Sequence, residues 1–148
     1  MDRFTQISDT TDVDGSVLGD IVRHAIAAYP KEACGMLLRR SAESRAADSF
    51  RLDNKAQPGR AGSCFITDPL EIFEAERKAE EKGYEIAGFY HSHPDRWAVL
   101  SDEDVKYMIP GMLYIILSVT GHGCKEAKGY VRQTADGECT GVMIHPTK

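Results

Sequence analysis

The sequence predicts an α/β fold, a mixed β-sheet flanked by helices, within a single domain spanning residues 1–148. Three observations carry this reading. One segment repeats its apolar residues at the helical period and a second opens with a helix-start motif, short apolar runs of strand length lie between and after them, and turn chemistry marks the junctions. With 148 residues and 42% apolar side chains, the chain can fill one core of ordinary size.

The first helix is expected over Ser16 to Tyr29, where Val17, Leu18, Ile21, Val22, Ala25, Ile26 and Ala28 form one stripe with Asp20, Arg23 and His24 opposite. Tyr29-Pro30 ends it, because the residue before proline avoids helical geometry. Ala33 to Leu38 then reads as a buried strand with Glu32 at its entry. Ser41 to Asp48 reads as a polar loop, Phe50 to Asn54 as a further strand, and Gln57 to Gly62 as a turn. Cys64 to Thr67 is strand-like. Asp68-Pro69-Leu70-Glu71 opens the second helix, with Asp as N-cap and Pro at the first helical position, and Gly83 stops it after Lys82. Its charges, Glu74 and Lys78 among them, mark a solvated face. Tyr84 to Tyr90 is a central strand. A short helix from Asp102 to about Ile109 and strands at Leu113 to Val119, Glu126 to Val131 and Glu138 to Ile144 complete the pattern.

A net charge of −5 gives nucleic acid or anionic lipid no general attraction. The chain holds no apolar run of membrane-spanning length, and Met1 to Gln6 lacks a signal-peptide pattern, so a soluble, cytoplasmic protein is expected. Cys34, Cys64, Cys124 and Cys139 form no Cys-x-x-Cys pair and read as buried thiols.

The chemistry concentrates at His91-Ser92-His93-Pro94, followed by Ser101 and Asp104. In extended backbone, His91 and His93 share one face while Ser92 points away. Asp104 can return as a third ligand, leaving a fourth position for water, the arrangement of a catalytic zinc site. Plainer readings compete at each place. Paired histidines occur as polar residues at a sheet edge, Ser101-x-x-Asp104 is a capping box, and Glu32 alone is a surface glutamate at a strand end. Trp97 lies where an aromatic ring could cover the site or pack on the domain. His24, His122 and His145 lack partners at ligand spacing and read as surface residues.

Taken together, Glu32 with Cys34-Gly35, His91-Ser92-His93-Pro94, Ser101 and Asp104 resemble the JAMM/MPN+ zinc metalloproteases. Their pattern is a distant Glu, then His-x-His, ten residues and Asp. The resemblance implies a cytidine-deaminase-like MPN fold and one Zn2+ per chain, with His91, His93 and Asp104 as ligands. It makes Glu32 the general acid/base and Ser101 a donor to the tetrahedral intermediate. Compactness and His91-Ser92-His93-Pro94-Asp95-Arg96 are similar to the stand-alone prokaryotic members. These hydrolyse the bond after the C-terminal Gly-Gly of small ubiquitin-like proteins, the ThiS/MoaD-type sulfur carriers. The implied activity is a peptidase or isopeptidase with such a carrier as partner, as a monomer or a homodimer. A catalytically inactive MPN scaffold that binds protein partners is the alternative, although such relatives have usually lost ligands that this chain keeps. Zinc-dependent deamination needs His-x-Glu with Pro-Cys-x-x-Cys, and neither motif occurs.

Overall fold

The computed structural model describes residues 7–56, 62 and 67–148. Among them the elements run β1 (Ile7–Asp14), α1 (Gly15–Ala28), β2 (Cys34–Arg40), β3 (Ala46–Leu52), α2 (Pro69–Glu81), β4 (Tyr84–Pro94), α3 (Asp102–Lys106), β5 (Leu113–Thr120), β6 (Gly123–Arg132) and β7 (Cys139–Thr147). The strands form one mixed sheet in the order β1-β3-β2-β4-β5-β6-β7, closed into a barrel where β1 meets β7. β1 runs parallel to both β3 and β7, and β4 parallel to β5, while the remaining pairs are antiparallel.

Strand alternation sorts the side chains into two cores. Tyr90, Ile115, Leu117 and Val119 pack with Val17, Ile21 and Ala25 of α1. On the other face, Cys34, Met36 and Leu38 pack with Ala75 and Ala79 of α2, and Ile116 packs with Val105 and Met108 around α3. In the β4–β5 ladder His91 pairs with Ile116 and His93 with Ser118, so both imidazoles belong to this second face. Each buried Ile or Val contributes about 1.5–3 kcal/mol relative to exposure, which fixes the register that sends the histidines there.

Gly35 shows why a small residue stands beside the site. A Cβ on it would lie 2.3 Å from the Tyr90 ring, so any side chain would displace that ring. Tyr90 in turn meets His24 through a hydroxyl-to-Nδ1 hydrogen bond of 2.7 Å.

Several boundaries differ from the expectation, each for a physical reason. β1 carries the sequence Ile-Ser-Asp-Thr-Thr-Asp-Val-Asp, whose aspartates weaken the strand preference of its β-branched residues, and pairing with β7 completes it. β3 begins at Ala46, inside the expected polar loop, because β2 offers its ladder out to Arg39. β4 continues through both histidines to Pro94. α1 starts at Gly15 without a side-chain cap, since Asp14 instead accepts from Thr147 at 2.8 Å and pairs with Arg45 at 3.1 Å. α3 stops at Lys106 rather than near Ile109: Ile109 precedes Pro110, which disfavours helix, and its amide donates to the Tyr114 hydroxyl at 2.8 Å.

The opening of α2 agrees with the expectation, since the Asp68 side chain accepts from the Leu70 amide and Pro69 stands in the first turn. Glu71 turns elsewhere and accepts from the Asp53 amide at 3.0 Å. The expected strand at Cys64–Thr67 falls on residues 64–66, and the expected turn largely on 57–61, outside the described residues.

Candidate metal centre

Ladder geometry brings the first part of the site together. Cys34 pairs with His91 across β2 and β4, which sets Glu32, two residues before Cys34, alongside the histidines. Ser92, on the opposite face, is wholly buried and holds that approach in place. Its amide donates to the Ala33 carbonyl at 2.9 Å and its hydroxyl accepts from the Ala33 amide at 2.8 Å. The Asn54 amide group adds a 3.0 Å bond to the Glu32 carbonyl.

The second part arrives on α3. The capping box is complete: Ser101 Oγ accepts from the Asp104 amide at 3.0 Å, and Asp104 Oδ2 accepts from the Ser101 amide at 2.9 Å. This aims the Asp104 carboxylate at the histidines. His91 Nε2 lies 3.1 Å from Asp104 Oδ1, His93 Nε2 lies 3.2 Å from Asp104 Oδ2, and the two Nε2 atoms are 3.2 Å apart. Donor atoms of Glu32, His91 and His93 also lie within 4.8 Å of one another. Glu32, His91, His93, Ser101 and Asp104 line one cavity of about 450 Å³, and Arg96, Tyr107 and Tyr114 are also in its wall.

These separations suit a small divalent ion. Ligands bound tetrahedrally at about 2.0–2.1 Å stand about 3.3 Å from each other, close to the spacing of the two imidazoles and the Asp104 carboxylate. Tautomer control agrees with this. The Trp97 carbonyl, 3.0 Å from His93 Nδ1, can only accept, so Nδ1 carries the proton and neutral His93 presents a bare Nε2. Glu32, by contrast, has its carboxylate 3.2 Å from Arg96.

The electrostatics separate the two acids. Burial alone would raise the Asp104 pKa, but the imidazoles of His91 and His93 beside its two oxygens, together with the Ser101 amide, hold it well below the usual carboxylate range. Glu32, 3% exposed, is raised to about 7, chiefly by burial, against the opposing charge of Arg96. Burial lowers His91 and so favours the neutral, metal-binding form. The Cys34 thiol beside it is pushed up to about 12 by burial, which leaves it without nucleophilic character at neutral pH.

The loop after the histidines is built by residues that carried no sequence signal. The Asp95 amide donates to the Val119 carbonyl at 2.7 Å, and the Asp95 carboxylate accepts from the Tyr29 hydroxyl at 2.8 Å. Ser118 donates to the Arg96 carbonyl, Glu126 accepts from the Ala98 amide at 3.0 Å, and Tyr130 donates to the Ala98 carbonyl at 2.7 Å. Only the strand register brings these partners to the loop, so spacing could not reveal them. Trp97 follows neither expectation: the residue is 74% exposed, and its contribution is the carbonyl on His93. His24 is also not a plain surface residue, being half-buried against Tyr90, whereas His145 is exposed and pairs with Asp12 at 3.0 Å.

Residues 15–136 match the family described as prokaryotic homologs of the JAB domain. A protein named desampylase from Haloferax volcanii is 30% identical over 118 residues, which covers 79% of this chain and 84% of that protein. The solution structure of a protein from Desulfitobacterium hafniense superposes with a TM-score of 0.78 at 25% identity, covering 94% of each chain. One from Salinibacter ruber does so at 0.70 and 28% identity, covering 93% of this chain and 92% of that one. The crystal structure of a JAB1/MPN domain protein from Archaeoglobus fulgidus shares the fold at 0.56 and 19% identity, over 93% of this chain and 99% of that one.

Proposed function

The chain belongs to the family of prokaryotic homologs of the JAB domain, and on that premise we propose that it is a zinc-dependent peptidase or isopeptidase acting on ubiquitin-like proteins. The proposal takes residues 1–148 as one such domain, working in the cytoplasm. The observation that carries it is the trio of His91, His93 and Asp104, whose donor atoms stand 3.1–3.2 Å apart with Glu32 beside them. The likeness to a desampylase supports conjugates of small ubiquitin-like modifiers as the substrate class. The finer reading is cleavage after the C-terminal Gly-Gly of a ThiS/MoaD-type sulfur carrier.

His91, His93 and Asp104 would hold the zinc, and Glu32 would stay outside as the proton carrier. When bound, the ion supplies Lewis acidity that makes water a competent nucleophile at a pH of roughly 7. Glu32 suits proton transfer because burial has brought its pKa to about 7, where a carboxylate can both take and return a proton. In the reaction the water oxygen joins the acyl carbon and the C–N bond breaks. Both water protons end on the departing nitrogen, which leaves as an ammonium while the acyl product is a carboxylate. Ser101 Oγ already accepts from the Asp104 amide, so its own hydrogen remains to be given to the carbonyl oxygen as negative charge develops there.

The test is to incubate zinc-loaded protein with a ubiquitin-like carrier extended beyond Gly-Gly and to follow product masses with and without chelator. Cleavage after Gly-Gly that stops on chelation is expected, and Glu32→Gln should keep its zinc while losing turnover. Cleavage that survives chelation, or a protein that binds no zinc, overturns the proposal.

A further inference from the structure

We infer that Arg96 is a specificity residue that receives the free α-carboxylate of the leaving amino acid, so that the site favours a peptide bond one residue from a C-terminus over a lysine isopeptide bond. This rests on the hydrolase reading above and names the leaving group of the same site.

Arg96 Nη2 is 3.2 Å from Glu32 Oε2, yet its side chain is 41% exposed and opens into the cavity. Among the described residues lining that cavity it is the one arginine or lysine, against the carboxylates of Glu32, Asp104 and Glu103. A cation in a wall of acids and aromatics is a recognition element for an anion. The guanidinium also does not ride on a loose loop. Ser118 holds the Arg96 carbonyl, and the neighbouring Asp95 and Ala98 are held by Val119, Tyr29 and Glu126.

The reaction then dictates what reaches it. Glu32 returns a proton to the departing nitrogen, so that nitrogen lies within hydrogen-bond distance of the Glu32 carboxylate. In a leaving amino acid the carboxylate carbon is about 2.5 Å from its own nitrogen. An α-carboxylate therefore falls beside the guanidinium, which can grip both its oxygens. A lysine Nζ brings four methylenes to the same place and offers the guanidinium nothing. Without substrate, Glu32 stands in for the absent carboxylate.

The test uses zinc-loaded Glu32→Gln protein, which binds without cutting and frees Arg96 from its partner. Two synthetic peptides ending in Gly-Gly-Ala are titrated by calorimetry, one with a free C-terminal carboxylate and one as the carboxamide. The acid should bind about 10- to 100-fold tighter. Adding Arg96→Ala should abolish the difference, and Arg96→Lys should restore part of it. In the Glu32-intact protein, Arg96→Ala should raise KM for the acid peptide and leave KM for the amide peptide as it was. Equal binding of acid and amide, binding of neither, or a preference that survives Arg96→Ala overturns the inference. If wild-type protein cuts acid and amide alike, the inference fails while the hydrolase reading stands. If neither these peptides nor the carrier extended beyond Gly-Gly is cut although the Arg96-dependent binding preference is found, the hydrolase reading fails and the carboxylate receptor stands.

Discussion

Asp104 Oδ2 accepts a 2.9 Å hydrogen bond from the backbone amide of Ser101 and lies 3.2 Å from His93 Nε2. One carboxylate oxygen thus serves both a helix cap and the candidate metal centre. The cap aims the carboxylate at the imidazoles, so the capping and ligand readings of Ser101 and Asp104 are compatible in one geometry.

Separating these uses gives the first prediction. Ser101→Ala removes the side-chain half of the box and should cost about 1 kcal/mol of stability by urea unfolding. It should leave zinc bound, since Asp104 still faces both imidazoles, while turnover falls on the order of 10²-fold or more. Asp104→Asn keeps an oxygen for the cap but loses the charge, so zinc should fail to copurify from a folded protein. A Ser101→Ala protein with unchanged turnover would remove Ser101 from the chemistry.

The second prediction concerns the loop that sets the His93 tautomer. Glu126→Ala frees the Ala98 amide and Tyr130→Phe frees the Ala98 carbonyl, and each should loosen the Trp97 carbonyl from His93 Nδ1. Zinc affinity, measured by competition with a coloured chelator, should fall about 10- to 100-fold although neither residue touches the ion. Trp97→Ala retains the carbonyl and should bind zinc as the parent does.

The third prediction is a pH dependence of stability centred on His24. Burial, with the charge of Arg51, lowers its pKa below 6.5, while Asp53 opposes the shift. Between the depressed folded value and 6.5, the unfolded chain binds more protons than the native one, so this contribution is present above pH 6.5 and is lost as pH falls. Urea midpoints of the parent should therefore drop more between pH 7.5 and pH 5 than those of His24→Gln. Equal drops would show that His24 is not the titrating group.

Thiol reactivity supplies the fourth. Cys34 and Cys139 are buried while Cys124 is partly exposed, and burial raises the Cys34 thiol to about 12. Iodoacetamide at pH 8 followed by peptide mass mapping should modify Cys124 well before the other two. Early modification of Cys34 would mean that the site opens more widely than its packing implies.

Legibility in the sequence followed the range of the interactions. The Asp68-Pro69 start of α2 and the Ser101/Asp104 box are local, closed within a turn, and could be read directly from residue types. The length of α3 was misjudged because Tyr114 captures the Ile109 amide from a different element. β1 was missed because Asp9, Asp12 and Asp14 interrupt its β-branched residues and its conformation is completed by pairing with β7.

By itself, the sequence determined which residue types were available for the site and which faces they could share. The spacing of His91 and His93 puts them on one side of any extended strand, and Ser101 with Asp104 must cap any helix that begins there, because backbone periodicity and local hydrogen bonding allow little else. What only the tertiary structure decided is how those pieces meet. The Cys34–His91 register sets Glu32 beside the imidazoles, the Trp97 carbonyl selects the His93 tautomer, and Arg96 comes to stand over Glu32. The first and third join residues far apart in the chain, and the second depends on a loop held in place by Ser118, Glu126 and Tyr130, so no local preference encodes them.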